Sequence, residues 1–163
     1  SMPDTNVGRV RCFGRVTAKA MSDYIILYVD LQQLVGSSWT TINSWSASGN
    51  KTVILDVPDY VISGYNYRIK VTARIYDENN NLIYEKSGLS QETFYDYDSN
   101  GNLIHKKNKS DFSFSEEWFE YNSEGKKIYS KKSNGTEKWF VYQIIGDIET
   151  TTIYTKSESF FEN

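Results

Sequence analysis

Four tyrosines stand at a near-constant interval in this chain, each four residues ahead of a turn-forming residue. They are Tyr76 before Asn80, Tyr97 before Gly101, Tyr121 before Gly125 and Tyr142 before Gly146, and successive tyrosines lie 21, 24 and 21 residues apart. A period of that length marks a supersecondary unit repeated along the chain, not a lone active-site scaffold. Around each mark the residues alternate in twos, so the unit is a strand, a turn and a strand. The period therefore predicts architecture and weighs against enzymology.

The turns carry the chemistry that a hairpin needs. Asp98-Ser99-Asn100-Gly101-Asn102 and Asn122-Ser123-Glu124-Gly125-Lys126 are polar and place Gly where a positive φ is expected. Leu103-Ile104 and Lys127-Ile128 open the return strands, and Ser133-Asn134-Gly135-Thr136 supplies a further Asn-Gly turn. The last unit is degenerate, as terminal repeats often are.

Residues 8–97 read differently, as a β-sandwich. Ile25, Leu27, Val29 and Leu31 alternate with Tyr24, Ile26, Tyr28 and Asp30. Tyr67, Ile69, Val71, Ala73 and Ile75 alternate with the basic series Arg68, Lys70 and Arg74, as one strand with a buried and a wet face should. Turn signals fall at Gly36-Ser37-Ser38, Gly49-Asn50 and Ser63-Gly64, and no capped helical period occurs.

Composition supports a division into two. All five arginines (Arg9, Arg11, Arg15, Arg68 and Arg74) precede residue 97, and the later part uses lysine alone, often in pairs. The expected organisation is a vector remnant (Ser1-Met2) and tail over residues 1–7, a sandwich over 8–97 and hairpin repeats over 98–163. The repeat pattern itself begins near residue 76. Each core would be small at that length. The lack of a leader peptide at the remnant carries no information.

A formal net charge of −3 argues against nucleic acid as a partner. No run approaches the roughly 18 apolar residues of a membrane span, so an integral membrane protein is not expected. With a single Cys there is no intrachain disulfide. Cys12 shares the parity of Val10 and Val16, which predicts a buried structural thiol.

Val57-Pro58-Asp59, followed by Tyr67-Arg68-Ile69-Lys70-Val71-Thr72-Ala73, resembles the E–F corner of fibronectin type III domains. That resemblance implies that Tyr67 is a corner tyrosine whose hydroxyl bonds upstream backbone. The longer run with Leu31-Gln32-Gln33-Leu34, Gly36-Ser37-Ser38-Trp39 and Ser44-Trp45-Ser46 is similar to uncharacterised small secreted proteins of Gram-positive bacteria. It implies an extracellular sandwich. Tyr95-Asp96-Tyr97-Asp98-Ser99-Asn100-Gly101-Asn102-Leu103-Ile104 resembles the YD repeats of the rearrangement-hotspot (RHS) and teneurin families, which implies a curling antiparallel sheet. Short membrane-occupation repeats, with Trp-x-x-Tyr strands, look similar.

Two aromatic rows are candidate surfaces. Counted back from the repeat tyrosine of each strand, Tyr95, Tyr97, Phe119, Tyr121, Phe140 and Tyr142 share one parity, and Phe94, Trp118 and Trp139, three residues before that tyrosine, share the other. Both rows can be core. Alternatively the row of Trp118, Trp139 and Phe94 is an exposed platform for a protein or glycan ligand.

The remaining motifs point to no chemistry. Asp96-x-Asp98-x-Asn100-Gly101 begins like a calcium loop, but Lys107 stands where the closing Glu belongs. His105 occupies the repeat position of Tyr84 and Tyr129, and one His with one Cys makes neither a zinc site nor a Cys–His nucleophile. Glu116 and Glu117 are adjacent strand residues that point apart, so with Asp111 they form no carboxylate pair for glycoside hydrolysis. No cofactor and no metal is expected.

The sequence thus predicts an all-β protein: an Ig/fibronectin-like β-sandwich followed by an antiparallel sheet of repeated hairpins. It leaves the oligomeric state open. The expected role is a non-catalytic binding or adhesion module, secreted or on the cell surface of a bacterium. The alternative is a scaffold or immunity accessory of an RHS-like toxin system, and the third reading is a glycan-active enzyme.

Overall fold

The computed structural model describes residues 6–157, which form twelve antiparallel strands and no helix. The expected all-β class is what the chain adopts. The strands are β1 (Val7–Thr17), β2 (Tyr24–Val35), β3 (Ser38–Asn50), β4 (Thr52–Ile62), β5 (Tyr67–Tyr76) and β6 (Leu82–Ser87). They continue with β7 (Gln91–Tyr97), β8 (Leu103–Lys109), β9 (Phe114–Tyr121), β10 (Lys127–Lys132), β11 (Glu137–Ile145) and β12 (Ile148–Lys156). Internal contacts divide the chain into two compact units between Glu92 and Thr93.

The first unit has two layers. β6, β5, β2 and β3 lie side by side in that order, and β1 pairs with β4 in a two-stranded sheet. The alternation read in β2 is realised, with Ile25, Leu27, Val29 and Leu31 at most 1% exposed. Cys12, Val53, Leu55, Ala73 and Ile75 complete the buried cluster. The inward row of β5 does not stay covered along its length, because Ile69 is 41% exposed near the strand's start. Gly14 is required by this packing: a Cβ there would stand 2.9 Å from Val29 Cγ2. Cys12 has no exposed surface, and burial pushes its thiol pKa up.

Hairpin geometry follows from the turn residues. Asp77, Asp98 and Asn122 each accept, through Oδ1, the amides two and four residues on (Asn79 and Asn81, Asn100 and Asn102, Glu124 and Lys126). The main chain closes each turn by paired bonds, as in Gly101 N to Asp98 O and Asp98 N to Asn102 O. Asn80, Gly101 and Gly125 hold φ of 63°, 81° and 75° at the equivalent position. A type I turn followed by one left-handed residue is the three-residue hairpin that suits strand twist. Asn80 does in the first copy what Gly does in the others, since Asn tolerates that conformation. The fourth mark differs: Gly146-Asp147 is a two-residue turn between Ile145 and Ile148, with φ 63° at its first central position.

Among the described residues the second unit has strand order β7-β8-β9-β10-β11-β12 and no second layer. Its only buried residues among those described are Phe119 and Ser130. Cross-strand side-chain pairs, not an interior, hold this sheet.

Candidate functional site

Alternation and register assign the second unit's side chains to two faces. His105 stands opposite Trp118, Trp118 opposite Lys131, Tyr129 opposite Trp139, and Trp139 opposite Tyr154. Directly opposed residues share a face, so these side chains all lie on one side. Asp96 joins them through a 3.0 Å contact to His105 Nδ1, and Phe94, two residues earlier on β7, follows by alternation. The predicted row of Phe94, Trp118 and Trp139 is therefore one face. Its members are 38%, 38% and 39% exposed. They are neither core nor a bare platform.

Their neighbours explain the half burial. The imidazole of His105 stacks on the Trp118 indole, with centroids 5.3 Å apart and planes 12° from parallel. Tyr129 and Trp139 meet at 5.6 Å with a 52° tilt. His105 therefore covers one face of the Trp118 indole, while the Tyr129–Trp139 contact is tilted and not face to face.

A β-bulge is what brings Tyr129 to this face. Lys127 stands opposite Tyr121 and Tyr129 opposite Glu120, so Ile128 is the extra residue. An unbroken ladder would set Tyr129 opposite Phe119, on the other side. The first copy repeats the device at Ile83, between Leu82 opposite Tyr76 and Tyr84 opposite Ile75.

Sequence reasoning missed a second repeat written over the first. Tyr84-x-Lys86, His105-x-Lys107 and Tyr129-x-Lys131 are each followed by Glu-x-aromatic: Glu92-x-Phe94, Glu116-x-Trp118 and Glu137-x-Trp139. In space each set closes on its glutamate. Tyr84 Oη donates to Glu92 at 3.2 Å with Lys86 Nζ at 3.0 Å, and Tyr129 Oη donates to Glu137 at 2.9 Å with Lys131 Nζ at 3.7 Å. In the middle copy His105 Nε2 lies 3.4 Å and Lys107 Nζ 3.9 Å from Glu116. That Nε2 makes no hydrogen bond. Burial and then the Glu92 carboxylate raise the Tyr84 phenol to about 12, and burial with Glu137 raises Tyr129. Both phenols therefore stay neutral donors in the physiological range.

The opposite face holds the periodic tyrosines. Phe119, Tyr121, Phe140 and Tyr142 lie there, roofed by lysine stems: Lys127 Nζ stands 4.2 Å from the Phe119 ring centre and Lys126 Nζ 5.4 Å from that of Tyr142. Such stems cover apolar surface while their charge stays wet. Tyr95 meets Lys106 in the same way at 5.8 Å.

The other predicted positions resolve simply. Tyr67 Oη donates to the Ile62 carbonyl at 3.0 Å. Asp98 spends its carboxylate on its own turn, whose hydrogen bonds from Asn102 and nearby amides hold its pKa down. Glu116 faces His105, Glu117 lies on the opposite side, and Asp111 is exposed in the link between β8 and β9. Among the described residues no three His, Cys, Asp or Glu side chains converge as a metal site. No family model, curated protein or solved structure matches the chain.

Proposed function

We propose that the protein is a non-catalytic binding module acting outside the bacterial cell, with Phe94, Trp118 and Trp139 as its ligand-bearing row. The observation that carries this reading is the tryptophan face itself. Half-exposed aromatics recur there on alternate strands, with a Glu–Lys pair beside each tryptophan. Trp and Tyr are enriched in protein contact surfaces, whose rims are polar. The covered indole of Trp118 favours a protein partner over a glycan, because a sugar needs an open ring face and His105 occupies one face of that ring.

On the same reading the first unit is an Ig/fibronectin-like sandwich. Its order β6-β5-β2-β3 opposite β1-β4 corresponds to strands G-F-C-C′ opposite B-E, and no described strand takes the place of A or D. Tyr67, at the head of the F-equivalent β5, makes the upstream backbone bond of a corner tyrosine. The likeness to secreted Gram-positive proteins and to YD repeats supports a scaffold made for display.

The test is a paired selection. The intact protein and a Trp118→Thr/Trp139→Thr variant are screened against a random-peptide phage library and a glycan array. Peptides retained by the intact chain and lost by the variant are the expected result. The variant's stability should fall only by the ~0.2–1 kcal/mol of each cross-strand pair. Selective glycan retention by the intact chain would replace the protein partner with a sugar, and ligands held equally by both would remove the row from function.

A further inference from the structure

A different surface, on the first unit, also has the make-up of a binding site. The outward side chains of β1 are Val7, Arg9, Arg11, Phe13 and Arg15, and those opposite on β4 are Ile62, Tyr60, Pro58, Asp56 and Ile54. Val7, Phe13, Ile54, Tyr60 and Ile62 are 46–66% exposed. Arg11 pairs with Asp56. Among the described residues Arg9 and Arg15 have no carboxylate partner. This face thus carries a surplus of positive charge on a chain whose formal net charge is −3. Like charge opposes a second copy docking on the same face, and exposed apolar area mixed with Arg and Tyr marks a contact surface.

The backbone shows how a partner would engage it. Ser63 N donates to Asn6 O and Ala18 N to Lys51 O at the two ends of the β1–β4 ladder. Both pairs involve even-numbered residues on the β1 side, and bonded pairs alternate along an antiparallel ladder. Hence the even residues of β1 spend their amides on β4. Those of Val7, Arg9, Arg11, Phe13, Arg15 and Thr17 point to the strand's other edge, which no described strand covers. The register runs unbroken over all of β1, without bulge or proline. β4 is different: Pro58 stands opposite Arg11, in an unbonded pair, so its missing N–H falls on the outer edge and blunts it. Proteins protect open edges with prolines, bulges and charged side chains; β1 has no proline or bulge, and its arginines repel a basic strand while admitting an acidic one.

We propose that the free edge of β1 takes up an extended acidic segment of a partner protein by strand addition. An added strand would bond the outward amides and set every second side chain on the arginine face. Acidic residues are called for opposite Arg9, Arg11 and Arg15, an aromatic or apolar residue opposite Phe13, and apolar residues at the intervening inward positions beside Val10, Cys12 and Val16. This proposal is independent of the tryptophan row.

The experiment uses the full chain and a fluorescein-labelled peptide, Thr-Val-Glu-Val-Tyr-Val-Glu-Val-Glu-Val-Thr, with Glu→Gln and Glu→Lys versions. Anisotropy should show saturable binding of the Glu peptide below about 1 mM, and about tenfold weaker binding of the Gln peptide. Arg9→Glu/Arg15→Glu should reverse the preference towards the Lys peptide, and retained amide dispersion in NMR spectra checks that it folds. Amide exchange should slow at Arg9, Arg11, Phe13 and Arg15 on binding and stay unchanged at Val10 and Cys12. The proposal is overturned by absence of saturable binding, by equal binding of the Gln peptide, or by protection confined to another strand. Displacement of the peptide by polyphosphate with no slowing of the β1 amides would also overturn it, assigning the arginines to a polyanion instead.

Discussion

The hydroxyl of Tyr121 donates to the main-chain carbonyl of Leu103, 2.9 Å away on the neighbouring strand. One repeat later Tyr142 makes the same bond to Lys127 at 2.8 Å. The periodic tyrosine thus ties each hairpin to the first residue of the return strand before it. Each bond replaces one to water, so Tyr121→Phe and Tyr142→Phe should each cost ~0.5–1.5 kcal/mol. Urea denaturation followed by Trp fluorescence measures this. An unmoved midpoint in both variants would mean that the rings alone carry the repeat.

Tyr67 is expected to behave in the same range. Its bond to Ile62 O lies at the exposed margin of the first unit, where water can reach the carbonyl once the hydroxyl is gone. Tyr67→Phe should therefore destabilise by about 0.5–1.5 kcal/mol and not by the larger penalty of an orphaned buried acceptor. A loss above roughly 3 kcal/mol would show that the carbonyl is sealed from solvent.

Asp98 links turn geometry to acid stability. Its folded pKa is held below the ordinary value by the hydrogen bonds of its turn. Its contribution is therefore complete above the unfolded pKa of about 3.9 and is lost as pH falls through the depressed folded value. Asp98→Asn keeps the Oδ1 acceptor of the two amides, as Asn122 does in the next copy, gives up the bond from Asn102 Nδ2 to the second oxygen, and should remove this share of the acid dependence without opening the hairpin. Acid titrations of the two proteins, read by near-ultraviolet circular dichroism, should differ only below about pH 4. Identical curves would refute the assignment.

Gly14 tests the packing of the first unit. Its backbone is not left-handed, so alanine is barred only by Val29 Cγ2 at 2.9 Å from the added methyl. Gly14→Ala should cost about 1–3 kcal/mol, as overpacking does. Val29→Ala in the same chain should relieve that clash while opening its own cavity, so the two costs combine less than additively. Strict additivity would show that Gly14 and Val29 do not meet.

Much of this molecule was legible in residues 21 apart and in residues two apart. The hairpin turns at Asp98 and Asn122, the buried row of β2 and the shared parity of Trp118 and Trp139 all depend on local rules. An Asx side chain reaches only its own turn, and side chains on a strand alternate by covalent geometry. What the chain alone did not disclose was how many layers those rows would meet. Among the described residues no second sheet of the second unit closes over the first, and its tryptophans are half-exposed.

The remaining differences come from register. Tyr129 joins the tryptophan face only because Ile128 is bulged, and an extra residue in one strand is a property of the pair, not of either sequence. The Glu–Lys pairs beside Phe94, Trp118 and Trp139 were present as a spacing in the chain, yet the closing of each set on one glutamate depended on which strands became neighbours. The same holds for the arginines of β1, visible as a cluster but turned into an open edge only by the phase of the β1–β4 ladder. Periodicity is a local property that a sequence determines by itself. Pairing phase and layer number are set by which surfaces meet, and only the folded chain decides them.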